Sequence, residues 1–224
     1  MYNILICDDD IDIVNALKIY LSDAEYNLFD AENGIDAINI LNSKDMCMID
    51  HLDKLRDAGI ASLKIEGRMK TEYYVANVVN AYRQALNYLN THQTYKLPDE
   101  IRNEVFKSSH RDYSCGFFFG EPKESLDTSL PISTHDFVAV VIEDTVGNKT
   151  KVEMRNKFLL NEELELLSKS QNNAIIKIEK IEDEDGNELD CCNVPKQQVY
   201  ITTNLKLKKY EILRRKKWKI IQVF

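Results

Sequence analysis

The sequence predicts an α/β fold: a partial (βα)4 parallel-sheet unit followed by a small antiparallel β-barrel. In residues 1–90, short apolar runs alternate four times with stretches of helical periodicity, a pattern typical of parallel strands joined by helices. After residue 134 the helical pattern ends, and short alternating runs are separated by turns at Gly147 and Gly186. We therefore predict an α/β half at 1–90, a connector at 91–134 and a barrel at 135–224.

The N-terminal half contains four apolar runs that we interpret as buried parallel strands, at residues 3–7, 27–31, 46–49 and 60–65. Helices are predicted after them at residues 11–21, 35–41, 52–58 and 73–89. The last helix has the most continuous apolar stripe. Four strands cannot close a barrel, so we expect an open sheet, whose free edge offers a route to a homo-oligomer.

The C-terminal half alternates with a period of two residues, as strands do. Its predicted strands lie at residues 137–142, 149–155, 174–181 and 198–202. A basic run at 206–219, with Tyr210 and Trp218, follows the last of them. Such a run can follow a nucleic-acid backbone, but it is equally typical of a solvated last strand and tail.

Composition limits the function classes. The net charge of −8 argues against nonspecific nucleic-acid binding by the chain as a whole. Five scattered cysteines do not suggest a disulfide framework. The sequence begins without the pattern of a signal peptide, and it has no apolar run of membrane-spanning length. We expect a cytoplasmic protein that does not enter a membrane.

Acidic side chains follow the first predicted strand. Asp8 and Asp9 at the end of a buried strand could hold the Mg²⁺ that aspartyl-phosphate chemistry needs. Asp50, at the end of the third apolar run, is the candidate phosphoacceptor. With the string CDDD, residues 1–41 resemble the start of a response-regulator receiver domain, although the receiver's later Lys-Pro pair is missing. The alternative is that residues 8–10 only cap the first helix.

From about residue 42 the sequence contains four unusual strings, KIEGRMK, YYVANVVNAYRQAL, SHRDYSCGFFFG and RNKF. They resemble the C-terminal part of the collagenase-like peptidase family, peptidase family U32. The resemblance implies that the runs at 46–49 and 60–65 are the last strands of an eight-stranded α/β barrel. It also implies a C-terminal barrel similar to domain two of elongation factor Tu. Together with the receiver resemblance, it makes the chain a chimera of two families.

The first group of candidate binding residues follows the run at 60–65. Active sites of α/β barrels lie at the carboxyl ends of their strands, where the resemblance places Glu66, Arg68 and Lys70. A guanidinium there suits a carboxylate or phosphate ligand, and Glu66 could orient it or accept a proton. The alternative is a salt-bridged turn in which Gly67 supplies backbone freedom.

The second group lies in the connector. His110, Arg111 and Tyr113 combine positive charge with aromatic rings and could hold a polar or nucleic-acid ligand, or they could form a packed loop. The family resemblance makes Cys47 a candidate iron–sulfur ligand. A cluster needs about four thiolates, and no other cysteine occupies a matching position, so we do not expect a cluster.

Three functions remain open. The sequence contains no recognisable Ser-His-Asp arrangement and no His-Glu-x-x-His string, so autonomous proteolysis has no support. The leading interpretation is an incomplete U32 protein that acts as a binding module for RNA or protein in RNA modification, including tRNA hydroxylation, or in translation. One alternative is a response-regulator-like protein phosphorylated on an aspartate. The other is a peptidase or RNA-hydroxylation enzyme completed by a partner chain.

Overall fold

A computed structural model describes residues 2–22, 26–34, 45–120, 131–170 and 172–217. The chain divides into two compact units that interleave in sequence. Unit 1 comprises Met1–Met48 and His110–Pro131, and unit 2 comprises Ile49–Ser109 and Ile132–Phe224. The domain boundaries near residues 90 and 134 stay a prediction. In the described part of the chain, no helix has the length and apolarity to cross a bilayer.

Unit 1 contains two small parallel sheets. Strands β1 (Tyr2–Cys7) and β2 (Tyr26–Ala31) pair in parallel, and helix α1 (Ile11–Tyr20) connects them. This confirms the first predicted strand-helix-strand unit. Strand β3 (Asp45–Met46) pairs in parallel with β4 (Tyr113–Ser114), which lies in the predicted connector. The predicted helix at 35–41 lies outside the described residues.

The prediction of a four-stranded parallel sheet is wrong for its last two strands. The run at 46–49 contributes only its first residue to β3, and a 3₁₀ turn, Ile49–His51, begins where the run ends. Residues 60–65 form no strand, and Ile60 and Leu63 are exposed. The physical reason is that strand geometry needs a hydrogen-bonded neighbour, which this apolar segment does not have among the described residues.

Helices make up the first part of unit 2. Helix α2 (Leu52–Asp57) is short, whereas α3 (Glu72–Thr91) has five turns and confirms the most regular predicted helix. The Thr71 side chain accepts a hydrogen bond from the backbone N–H of Tyr74 and caps α3. Helix α4 (Asp99–Arg102) continues into a 3₁₀ turn, Asn103–Phe106. One face of α3 is buried, and it consists of Tyr73, Tyr74, Asn77, Val78, Ala81, Ala85 and Leu89.

Six antiparallel strands in unit 2 form a closed sheet with the order β11-β6-β5-β12-β8-β9. They are β5 (His135–Val141), β6 (Lys149–Met154), β8 (Glu163–Leu167), β9 (Ile175–Glu182), β11 (Gln198–Thr203) and β12 (Ile212–Lys216). Strands β7 (Phe158–Leu159) and β10 (Cys191–Cys192) pair separately. The interior contains Val152, Leu166, Ile178 and Ile201, all fully buried. The predicted antiparallel sheet is present, with β8 and β12 as additional strands.

Candidate functional site

The segment before α3 carries the first predicted group. Glu66 Oε1 accepts a hydrogen bond from the backbone N–H of Arg68 at 3.3 Å, and Glu66 Oε2 lies 3.5 Å from Lys64 Nζ. A Cβ atom at Gly67 would lie 2.8 Å from Val75 Cγ2, so the close approach of this segment to α3 requires glycine. Glu66 therefore organises the local backbone.

Lys70 makes contacts within unit 2, whereas the Arg68 side chain extends into solvent. Lys70 Nζ donates a hydrogen bond to the Ser109 carbonyl at 3.1 Å and lies 5.0 Å from the centre of the Tyr74 ring. These contacts fasten the segment to the rest of unit 2. The Arg68 side chain is exposed, and no hydrogen bond or ion pair with another described residue engages its guanidinium. Within this group, Arg68 is the side chain available to an anionic ligand.

The second predicted group is organised around β3 and β4 in unit 1. Arg111 donates from Nε and Nη2 to Asp45 Oδ1 at 3.1 and 2.9 Å, and its backbone N–H donates to Asp45 Oδ2. His110 is buried, its Nδ1 lies 2.7 Å from the Arg111 carbonyl, and its ring stacks on Tyr113 at 4.4 Å. The structure brings all three predicted residues together. Their mutual contacts fit the packed-loop alternative better than an open ligand site.

The carboxylates assigned to the receiver resemblance lie in different places. Asp8 Oδ1 accepts from the Asp10 backbone N–H, and Asp10 caps α1 by accepting from Asp12. Asp50 belongs to unit 2, lies in the 3₁₀ turn and accepts from Arg102 Nε at 2.6 Å. Asp50 does not end a strand, so the expected strand-end geometry of the phosphoacceptor is wrong.

The described part of the chain does not bring together a set of side chains that could bind a metal ion. No group of three or more His, Cys, Asp or Glu side chains there could hold a metal ion. Mg²⁺ is commonly held by one or two carboxylates together with waters and a phosphate, so Asp8 and Asp9 as Mg²⁺ ligands stay a prediction. Cys47 is half-buried, and its carbonyl lies 3.8 Å from Cys115 Sγ. We derive no chemistry through either Mg²⁺ or an iron–sulfur cluster.

A buried ionic cluster in unit 2 was not predicted. Arg214, on β12, is fully buried and donates to Glu104 Oε2 at 2.9 Å and to Asn77 Oδ1 at 2.6 Å. Its Nε donates to Glu165 Oε1 on β8 at 2.6 Å. Lys107 Nζ joins the cluster, 2.6 Å from Glu104 and 2.8 Å from Glu165. The cluster ties α3 and the 3₁₀ turn after α4 to the barrel.

The charges in this cluster stabilise each other. Burial raises the pKa of Glu165, but hydrogen bonds from His135 and Lys107 and the charge of Arg214 outweigh it and lower that pKa well below its ordinary value. Burial raises the pKa of Tyr73, whose hydroxyl donates to the Lys107 carbonyl. Glu165 therefore stays ionised at neutral pH. Local sequence did not signal this role, because alternation in β12 turns Leu213 into the interior of the closed sheet and leaves Ile212 and Arg214 on the opposite face, toward α3.

The basic run at 206–219 is divided by the fold. Arg214 is buried in the cluster, and Arg215 pairs with Glu162 at 2.8 Å. Lys206, Lys208 and Lys209 lie in the exposed β11–β12 loop before them. Trp218 lies outside the described residues. In the loop, no ion pair with a described residue engages the three lysines, whereas Arg214 and Arg215 on the strand that follows are paired and Lys216 is exposed.

Known proteins resemble both parts of this chain. The family model for peptidase family U32 matches residues 20–128, and the model for its C-terminal domain matches residues 133–214. The first match begins inside the segment that resembles a receiver domain, and none of these comparisons supports a receiver.

Curated relatives carry names that refer to tRNA. The chain is 34% identical to tRNA hydroxylation protein P1 of Bacillus subtilis over 189 residues, which is 81% of this chain and 44% of that protein. It is 33% identical to tRNA hydroxylation protein P of Haemophilus influenzae, over 63% of this chain and 31% of that protein. The chain thus spans less than half the length of these relatives.

A solved structure matches the C-terminal part. It is the C-terminal domain of a Geobacillus thermoleovorans protein of the U32 peptidase family, 33% identical with a TM-score of 0.34, and the match covers 36% of this chain and 99% of that one. The two family models together cover residues 20–128 and 133–214 in chain order. The chain therefore belongs to peptidase family U32.

Proposed function

We propose that this chain is the RNA-binding part of a tRNA-modification protein and is not an autonomous peptidase. The alignment with the Bacillus tRNA hydroxylation protein carries the proposal. It extends over 81% of this chain and so includes parts of both the α/β segment and the closed sheet. A shared arrangement of two such different segments supports a shared role.

Within this proposal, Arg68 contacts an RNA phosphate. Its guanidinium is exposed and carries no internal ion pair with a described residue, so binding breaks no existing interaction. Glu66 and Lys70 position its backbone. His110, Arg111 and Tyr113 act indirectly by holding β3 against β4, since Arg111 pairs with Asp45 of β3 and His110 stacks on Tyr113 of β4.

A second candidate is an enzyme completed by a partner chain, as a peptidase or in RNA hydroxylation. The chain covers 44% of the Bacillus relative, so more than half of that protein has no counterpart here. Within this candidate, a partner chain supplies the catalytic groups that lie in the unmatched part of that relative. This candidate predicts activity only in a reconstituted mixture.

Fluorescence anisotropy with an unmodified tRNA transcript tests the proposal. The chain should bind saturably, and its affinity should fall linearly with the logarithm of salt concentration because phosphate contacts release counterions. Arg68→Ala should weaken binding about threefold to tenfold. Arg83→Ala is the matched control, since Arg83 is also exposed and no ion pair with a described residue engages it. Absence of tRNA binding at low salt contradicts the proposal, and cleavage of gelatin by the chain alone contradicts it independently.

A further inference from the structure

We infer that the β11–β12 loop, residues 204–211, is a binding site for single-stranded RNA. Three lysines would contact phosphates, and Tyr210 would stack on an unpaired base. The inference rests on the proposed function and names the site where RNA recognition by the closed sheet takes place.

The loop backbone is held rigidly. Leu207 is buried, and its backbone N–H and carbonyl bond to the side chain and backbone of Thr145 in the neighbouring β5–β6 loop. The buried carboxylate of Glu211 accepts from the Lys208 backbone N–H at 2.8 Å and from the Ser168 hydroxyl. Three loops at one end of the barrel are thus tied together. The shape of residues 204–211 is set before any ligand arrives, which reduces the entropy lost on binding.

Tyr210 is presented to solvent in an unusual backbone conformation. Its φ angle is +73°, a left-handed value that is rare for a bulky side chain. Its backbone N–H donates to the Val141 carbonyl at 2.8 Å, which holds the strained residue in place. The side chain is 76% exposed although it is aromatic. Backbone strain of this kind is concentrated at functional sites, and an exposed ring on a held backbone offers a surface for base stacking.

The lysines of the loop differ from the lysines on the barrel wall. Lys149 and Lys180 both pair with Glu182, and Lys151 pairs with Glu184. In contrast, no ion pair with a described residue neutralises Lys206, Lys208 or Lys209. Lys209 Nζ lies 5.1 Å from the centre of the Tyr210 ring, so a free charge accompanies the aromatic surface.

Two carboxylates lie in the adjoining β5–β6 loop. Asp144 Oδ1 accepts from the Lys209 backbone N–H at 2.7 Å and so fixes the loop while leaving the ammonium group free. Glu143 is exposed. Over the three tied loops, Lys169, Lys206, Lys208 and Lys209 outnumber the carboxylates of Glu143, Asp144 and Glu211 by one. A small excess of positive charge next to an exposed aromatic ring matches a phosphate backbone with an unstacked base.

Binding of the full chain to a 12-nucleotide oligouridine and to an unmodified tRNA transcript tests the site. The variant Lys206→Ala/Lys208→Ala/Lys209→Ala should raise Kd at least tenfold and reduce the salt slope by about 2, given about 0.7 per contacted phosphate. Tyr210→Ala should raise Kd about tenfold with the salt slope unchanged, whereas Tyr210→Phe should bind like the wild type. Lys149→Ala/Lys151→Ala/Lys180→Ala is the control and should bind normally.

The outcomes distinguish a failure of the proposed loop site from a failure of the proposed function. If the wild type binds RNA and the loop variants bind equally well, the site is wrong and the proposed function stands. If the wild type binds neither RNA, both are wrong. Circular dichroism and thermal unfolding of each variant verify its fold. Tyr210→Gly, which relieves the left-handed strain, should be at least as stable as the wild type and still lose affinity.

Discussion

The parallel sheets of unit 1 and the closed sheet of unit 2 bury apolar surface to different extents. Around β1 and β2, Ile6, Val14 and Ala31 are buried, whereas Leu17 and Ile19 on α1 are exposed. The closed sheet surrounds a continuous interior of fully buried side chains. A two-stranded sheet has open edges and too little area to cover a helix, but a closed sheet gives every strand two neighbours. Unit 2 should therefore carry most of the stability, and self-association through an edge in unit 1 stays a prediction.

The largest effect should come from Arg214→Met. The substitution removes the guanidinium that pairs with the buried carboxylate of Glu104 and leaves that carboxylate with Lys107, which should cost about 3 kcal/mol. Urea unfolding measures the loss in the free energy of unfolding. Hydrogen-exchange mass spectrometry should then show lower protection of the backbone amides in α3 and the closed sheet. Arg215→Met, on the same strand but half-exposed, should cost about 1 kcal/mol or less. Equal losses for the two variants would contradict the central role of the cluster.

A smaller effect should follow from acid. The pKa of Glu165 is lowered by folding, so its stabilising contribution is complete above its ordinary value of 4.5 and is lost as the pH falls below that value. Glu165→Gln should cost about 1.5–3 kcal/mol near pH 7, and the difference from the wild type should shrink between pH 4.5 and pH 2. Urea unfolding at several pH values measures it. A difference that is constant with pH would show that Glu165 is not the titrating group.

The smallest effect should arise in unit 1. Asp10→Ala removes the side-chain cap of α1 and should cost about 1 kcal/mol locally. Hydrogen exchange of the first turn of α1 measures it. Asp9→Ala serves as the control, because Asp9 is exposed and its side chain makes no hydrogen bond to α1 among the described residues. If Asp9→Ala is the more damaging change, the capping assignment fails.

Local pattern predicted much of the fold. The apolar stripe on α3 and the alternation of β5, β6, β9 and β11 were sufficient to predict these elements, since the periods of 3.6 and 2 residues follow from backbone geometry. The apolar run at 60–65 was misleading, because a strand also needs a partner, and local sequence does not supply one. For the candidate site, the sequence selected Arg68 and the cationic loop but could not separate free charges from paired ones.

The sequence by itself determined where helices and strands alternate and which segments resemble peptidase family U32. Only the tertiary structure decided the role of each charge. Arg214 meets Glu104 and Asn77 across separations of 110 and 137 residues. The energy of a charge depends on its burial and its partners, and both are set by distant segments. The same physics keeps Arg214 buried and paired between the closed sheet and α3, whereas no ion pair with a described residue neutralises the lysines of the β11–β12 loop.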